Sequence, residues 1–168
     1  MREGKARDPG PSADYDDTFR RCYGPMVRSL SVACGDGEVA ADCVQDAFMR
    51  AYARWGRVAK LEDPVGWIRH VAVNRIRDHF RRAERGRRAV GRLAGQAEVS
   101  SPAPAEPSEL AALLETLPAQ QRIAAALFYV EDLSVAEVAA AMRLSDGAVK
   151  YHLHAARATL RDTLERRS

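Results

Sequence analysis

Residues 86–107, GRRAVGRLAGQAEVSSPAPAEP, divide the chain. This run mixes Gly, Ser, Pro and small side chains with no lasting apolar period, so it reads as a flexible linker. It separates a unit at 14–85 from a unit at 108–168, and a polar tail with Gly and Pro covers 1–13. Units this small hold a few elements around one core each. On both sides of the linker the apolar residues recur at helical spacing, and no alternating strand pattern occurs. Aromatics are only 7% of the chain, which suits small helical cores. The expected architecture is all-α: two small helical domains joined by a flexible linker, the C-terminal one a helix-turn-helix.

In the first unit, a helix from Asp16 to about Ala33 carries Phe19, Tyr23, Val27 and Leu30 on one face, and Gly35 and Gly37 end it. A second runs from Glu38 to Arg54 with Ala40, Val44, Ala47, Phe48 and Ala51 as its stripe. A third starts at Pro64 behind Asp63 as N-cap and ends near Arg85. Its apolar face holds Val65, Ile68, Ala72, Ile76 and His79, and the opposite face holds His70, Asn74, Arg77, Arg81 and Arg85.

The net charge of +3 conceals an uneven distribution. Residues 1–66 carry 10 basic and 11 acidic side chains, whereas residues 67–92 carry nine Arg against Asp78 and Glu84. A basic stripe on one side of one amphipathic helix suits phosphate backbones or an anionic surface.

In the second unit, Ser108 caps a helix through Leu117, and Pro118 opens another to about Val130. Ser134 and Glu137 form a capping box ahead of a short helix, Val135 to Met142. Arg143, Leu144 and Ser145 make a tight turn. A last helix begins near Asp146, with Val149, Leu153, Ala156, Leu160 and Leu164 on its buried side. A short helix, a three-residue turn and a longer helix describe a helix-turn-helix, with small Ala139 where the two helices approach. In DNA readers of this kind the second helix enters the major groove. Here its outward face holds Asp146, Lys150, His154, Arg157 and Arg161, with Tyr151 beside them. Lys and Arg donate to guanine acceptors or to phosphates.

These residues resemble a family. SVAEVAAAMRLSDGAVKYHLHAARATL (134–160) looks like the minus 35 reading domain of the extracytoplasmic-function (ECF) sigma factors, within the sigma-70 family. LETLPAQQRIAAALFYVEDLS (114–134) matches the family run that precedes it. AADCVQDAFMRAYARW (40–55) resembles the helix that docks on the polymerase clamp. DPVGWIRHVAVNRIRDHFRR (63–82) resembles the helix that handles the minus 10 element. The resemblance implies a factor that binds core RNA polymerase through its beta and beta-prime subunits and directs it to promoter DNA. It assigns Asp42, Val44, Gln45, Asp46, Phe48 and Met49 to polymerase docking, although Val44 and Phe48 also suit the core. It assigns Asn74, Arg77, Asp78, Arg81 and Arg85 to the minus 10 element. Arg143, Ser145, Lys150, Tyr151, His154 and Arg157 fall to the minus 35 element. The loop from Val58 to Asp63 corresponds to the base-capturing loop. An anti-sigma factor is the implied regulator.

The chain departs from the family pattern in places. Arg143 stands where the turn usually has Gly, a position that often needs left-handed backbone. Ala148, His152 and Ala155 replace a hydroxyl and two cations, so weaker and less salt-sensitive binding by this domain is expected.

Other classes fit less well. Cys22, Cys34 and Cys43 and the four His lack close pairing, so neither a disulfide framework nor a zinc site is expected. The cysteines read as small core residues, His79 as a structural histidine and Trp67 as a core aromatic. No catalytic constellation or phosphate-binding Gly loop occurs, so no enzyme activity and no cofactor are expected. No apolar run is long enough to span a membrane and the first 13 residues hold no apolar stretch, which points to a cytoplasmic protein. A stand-alone transcription regulator is the main rival. It would bind an operator without polymerase.

Overall fold

The computed structural model describes residues 13–92 and 108–168, and every element among them is helical. α1 (Ala13–Cys34) and α2 (Gly37–Ala53) form a hairpin. Gly35 makes the corner: at φ +72° it takes the left-handed position that ends a helix, and its N–H reaches Ser31 O at 2.8 Å. Asp36 then caps α2, its Oδ1 accepting from Glu38 and Val39 N–H at 3.0 and 3.1 Å. A short α3 (Trp55–Val58) leads to α4 (Pro64–Arg92). Pro64 opens α4, and Asp63 Oδ1 accepts from Gly66 N–H at 2.9 Å. Met26, Leu30, Val44, Phe48, Ile68 and Ile76 are fully buried between these helices. Burying each such side chain is worth about 1.5–3 kcal/mol.

α4 runs on to Arg92, past Arg85 where the sequence reading ended it. The cause is local. Glu84 pairs with Arg87 at 3.0 Å and with Arg88 at 3.5 Å, one turn ahead, which supports a helix in solvent. Gly86 and Gly91 weaken it by about 1 kcal/mol each but do not break it. The rest of the expected linker, 93–107, and the tail at 1–12 lie outside the described residues.

The second half begins with α5 (Glu109–Leu114), where Ser108 Oγ accepts from Ala111 N–H at 3.1 Å. α6 (Ala119–Ala125) follows Pro118. Over Ala126–Val130 the chain widens into a π-helical turn, closed by Glu131 N–H to Ala126 O at 3.3 Å. α7 (Val135–Met142) starts on the expected capping box: Glu137 N–H donates to Ser134 Oγ at 3.1 Å, and Ser134 N–H donates to Glu137 Oε2 at 2.7 Å. That bond holds the Glu137 carboxyl below its ordinary value. α8 (Asp146–Arg167) is capped by Ser145 Oγ, which accepts from Ala148 N–H at 3.1 Å. Val138, Ala139, Met142, Val149 and Leu153 are buried where α7 crosses α8. Leu164 is not on the buried side as expected but 49% exposed. Leu164 lines an open apolar groove with Leu110, Tyr129 and Leu160.

The two halves pack directly on each other. Val32 and Ala33 of α1 meet Leu114, Leu117, Ala125 and Ala126, while α4 lies against α7. One apolar cluster continues from Met26, Phe48 and Ile68 to Leu127, Val138 and Met142.

Candidate nucleic-acid interface

The helix-turn-helix is built as its sequence requires. Arg143 ends α7 with φ 51° and ψ 50°, the left-handed conformation anticipated for this turn. A side chain there costs about 1 kcal/mol or more relative to Gly. Leu144 N–H returns to Ala139 O at 3.0 Å, which keeps the turn tight. Lys150, Tyr151, His154 and Arg157 are all exposed on α8, and Arg143 is exposed at the turn. The structure therefore gathers these five expected residues at the helix-turn-helix. Ser145 is exposed too, but its hydroxyl is engaged as the cap of α8. It fixes the start of the helix.

On α4 the outward face is basic. Arg81 and Arg85 are exposed, and Arg81 pairs with Asp78 at 3.0 Å. Arg81, Arg85, Arg87 and Arg88 face Arg122 across an open cleft of about 1090 Å³, with half-buried His79 among its lining residues. Arg122 also lies over the Phe80 ring, 5.2 Å from its centroid. Asn74 is exposed and Arg77 is half-buried. Arg77 does not stand free as a surface cation: its Nη2 donates to Met142 O at 2.9 Å and to Gln120 Oε1 at 3.1 Å. Burial, and then the nearby Arg81, lower its pKa.

α2 divides the expected docking residues into two sets. Asp42, Gln45 and Met49 face outward, Met49 at 63% exposure. Asp46 sits at the edge and pairs with Arg50 at 2.9 Å and Arg75 at 3.0 Å. Val44 and Phe48 are 0% and 1% exposed, so neither reaches a partner surface in this fold. Both share the inward row with Ala40, Ala47 and Ala51, and Phe48 packs edge-on against Phe19 and Tyr15. Phe19, expected on the apolar face of the first helix, is 37% exposed near this face, and a second exposed aromatic, Tyr52, escaped the sequence reading. Tyr52 stands three positions after Met49 on the outward row, and that spacing was the signal.

Trp67 is half-buried and packs against the core. All three cysteines are free and half-buried, and burial raises each thiol, that of Cys34 to about 11. Thiols so placed are poor nucleophiles. Among the described residues no His, Cys, Asp and Glu cluster is suited to a metal ion, and no helix is long and apolar enough to cross a membrane.

The remaining unforeseen group lies between the halves. Arg69 Nε and Nη2 donate to Glu131 Oε1 at 2.9 and 2.8 Å, and Ser29 Oγ donates to Glu131 Oε2 at 2.9 Å. Arg69 had a visible signal: it stands four after Val65 and three before Ala72, within the expected apolar face.

Comparison with known proteins agrees with this architecture. Residues 19–86 match the family described as Sigma-70 region 2, and residues 108–160 match Sigma-70, region 4. The chain is 36% identical over 167 residues to the probable RNA polymerase sigma factor RfaY of Xanthomonas campestris, covering 91% of this chain but 41% of that protein. It is 33% identical over 138 residues to the ECF RNA polymerase sigma factor SigL of Mycobacterium tuberculosis, covering 78% of this chain and 77% of that one. Its fold is similar to that of the sigma factor RpoE from Bartonella quintana, solved in complex with the anti-sigma factor NepR. That likeness has a TM-score of 0.69 and 22% identity, and covers 92% of this chain and 98% of the other. The chain thus belongs to the sigma-70 family of RNA polymerase sigma factors, in the ECF group.

Proposed function

We propose that this chain binds core RNA polymerase and directs it to promoters, reading the minus 35 element with α8 and opening the minus 10 element with α4. The observation that carries the reading is the exposed row on α8. Lys150, Tyr151, His154 and Arg157 project from the solvent face of α8, while Val149 and Leu153 on its other face are buried. That is the geometry by which a recognition helix meets base edges and phosphates. The basic face of α4 supplies charge for a melted strand. Unstacking a base costs a few kcal/mol, which Arg81, Arg85 and their neighbours offset by binding phosphate. Asn74 and Asp78 complete that surface, and Arg77 joins it once its contacts with the C-terminal half are released. On α2, Asp42, Gln45 and Met49 form the docking face for the polymerase clamp, with Asp46 at its edge and Tyr52 beside it. The acidic groups suit a basic partner and the apolar ones supply contact area. The solved relative was found with an anti-sigma factor, and a partner of that kind is the regulator proposed for this chain.

Run-off transcription tests the reading. The purified chain is mixed with sigma-free core polymerase and genomic fragments. Transcripts that need both components, and that Arg157→Ala reduces, are expected. No transcripts, together with sequence-specific duplex binding by the chain alone, would overturn it in favour of a stand-alone regulator.

A further inference from the structure

The turn between α7 and α8 holds a cation in a backbone conformation that Gly would adopt without strain. We infer that Arg143 grips a phosphate of duplex DNA beside the entry of α8, adding affinity without reading sequence. The inference rests on the proposed function for its purpose, and deepens it by giving one residue of the minus 35 surface a backbone-binding role.

Arg143 stands at φ 51° and ψ 50°. Strain of this kind persists where something else offsets it. The other described non-Gly residue at positive φ is Asp132, a type that visits this region more readily than Arg. The Arg143 N–H closes α7 on Ala139 O and Ala140 O, which a Gly N–H would do equally. Its side chain is exposed, and among the described residues its guanidinium has no ion pair and no hydrogen bond. Within the described fold, then, the guanidinium offsets nothing. Its use lies outside the chain.

Charge says what that use is. From Asp146 to Ala156 the exposed face of α8 carries Lys150 as its one permanent cation, set against Asp146. His152 does not make up the shortage, because it is half-buried with Nδ1 sealed from solvent. Duplex DNA carries about one negative charge per 1.7 Å of axis, and a helix end of no net charge gains little from it. Arg143, two positions ahead of the Ser145 cap, restores a permanent positive charge beside that end. A guanidinium offers its donors as a fork that matches two phosphate oxygens. Arg143 also precedes α8 and lies off the row of Lys150, His154 and Arg157. That division suits a contact that positions the helix, while the row specifies sequence.

The test uses the full chain and a fluorescein-labelled DNA duplex of mixed sequence, with anisotropy followed from about 50 to about 200 mM KCl. Arg143→Gly should weaken binding about tenfold at the lower salt. It should reduce the slope of log affinity against log salt by about 0.9, the share of one phosphate contact. Its urea midpoint should stay level or rise, because relief of strain offsets the added chain freedom of Gly. Weaker binding without lost stability excludes damage to the fold as the cause. Arg143→Lys keeps the charge and should retain most of the affinity. Arg20→Ala removes an exposed cation from α1 and should leave the slope unchanged. Duplexes carrying a promoter recovered by run-off transcription should lose the same factor as mixed sequence. Unchanged binding by Arg143→Gly would overturn the grip, as would an equal loss in Arg143→Lys, an equal slope change in Arg20→Ala, or no duplex binding at the lower salt. A lower urea midpoint would overturn the strain that singles Arg143 out. A larger loss on promoter duplex than on mixed sequence would overturn the phosphate contact in favour of base reading. A chain that gives no run-off transcripts, yet loses one contact's slope with Arg143→Gly, would retire the proposed function and leave the grip in place.

Discussion

Phe48 and Met49 are neighbours in sequence and point opposite ways. Phe48 is 1% exposed and Met49 is 63% exposed. Phe48→Ala should therefore cost about 3–5 kcal/mol of stability, read from urea unfolding, because the aromatic cluster cannot close over the gap. Met49→Ala should stay within about 0.5 kcal/mol in the same experiment, yet lower retention of the chain on immobilised core polymerase. Equal stability losses would contradict the division of α2 into two faces. Helical spacing alone made part of this division legible, since Val44 and Phe48 align with Ala40, Ala47 and Ala51. A family resemblance carries over which helix docks, but not the direction of each side chain along it. The left-handed turn at Arg143 was legible for a different reason: the family that the sequence resembles usually has Gly there, and such a position often needs that conformation.

α4 shows how an element's length is lost when residues are weighed singly. Gly86 and Gly91 read as breakers, while the Glu84 pairs with Arg87 and Arg88 act between turns and offset part of their cost. A Cβ added at Gly86 or Gly91 meets nothing within 4 Å. Gly86→Ala and Gly91→Ala should each stabilise this end of the helix by about 0.5–1 kcal/mol, seen as slower amide hydrogen exchange over 84–92. Unchanged exchange would mean that the helix ends nearer Arg85. The capping box of α7 and the Ser108 cap were readable because each is a contact between residues three apart, whereas Ser145, read as part of the turn and as a minus 35 contact, proved to be the cap of α8. The π-helical turn, which packs on α1, left no such mark.

At the scale of the molecule, nothing local announces that the halves meet. Arg69 and Glu131 are 62 positions apart, and a stretch rich in Gly, Ser and Pro suggests independence. The contact also carries a pH dependence. Burial lowers the His70 pKa below 6.5, the bond to Ala141 O raises it in part, and Arg143 and Arg77 lower it further. Packing of the halves thus favours the neutral ring. Its contribution is complete above the ordinary histidine value and is lost as pH falls through the depressed one. Small-angle scattering should show the radius of gyration growing from about pH 7.5 to about 5.5, and His70→Gln should flatten that response. A radius that stays constant in the unsubstituted chain would contradict it. The wide turn at Ala126–Val130 has its own bearing on the fit, because Glu131 N–H reaches back to Ala126 O, one residue further than in an α-helix. Each helical residue rotates the chain by about 100°, so the added residue resets the angular phase at which the carboxylate comes round. Drawn as a regular α-helix, the same segment would present Glu131 out of step with Arg69. The contact between the halves is therefore a matter of timing along the helix axis, kept by a single residue.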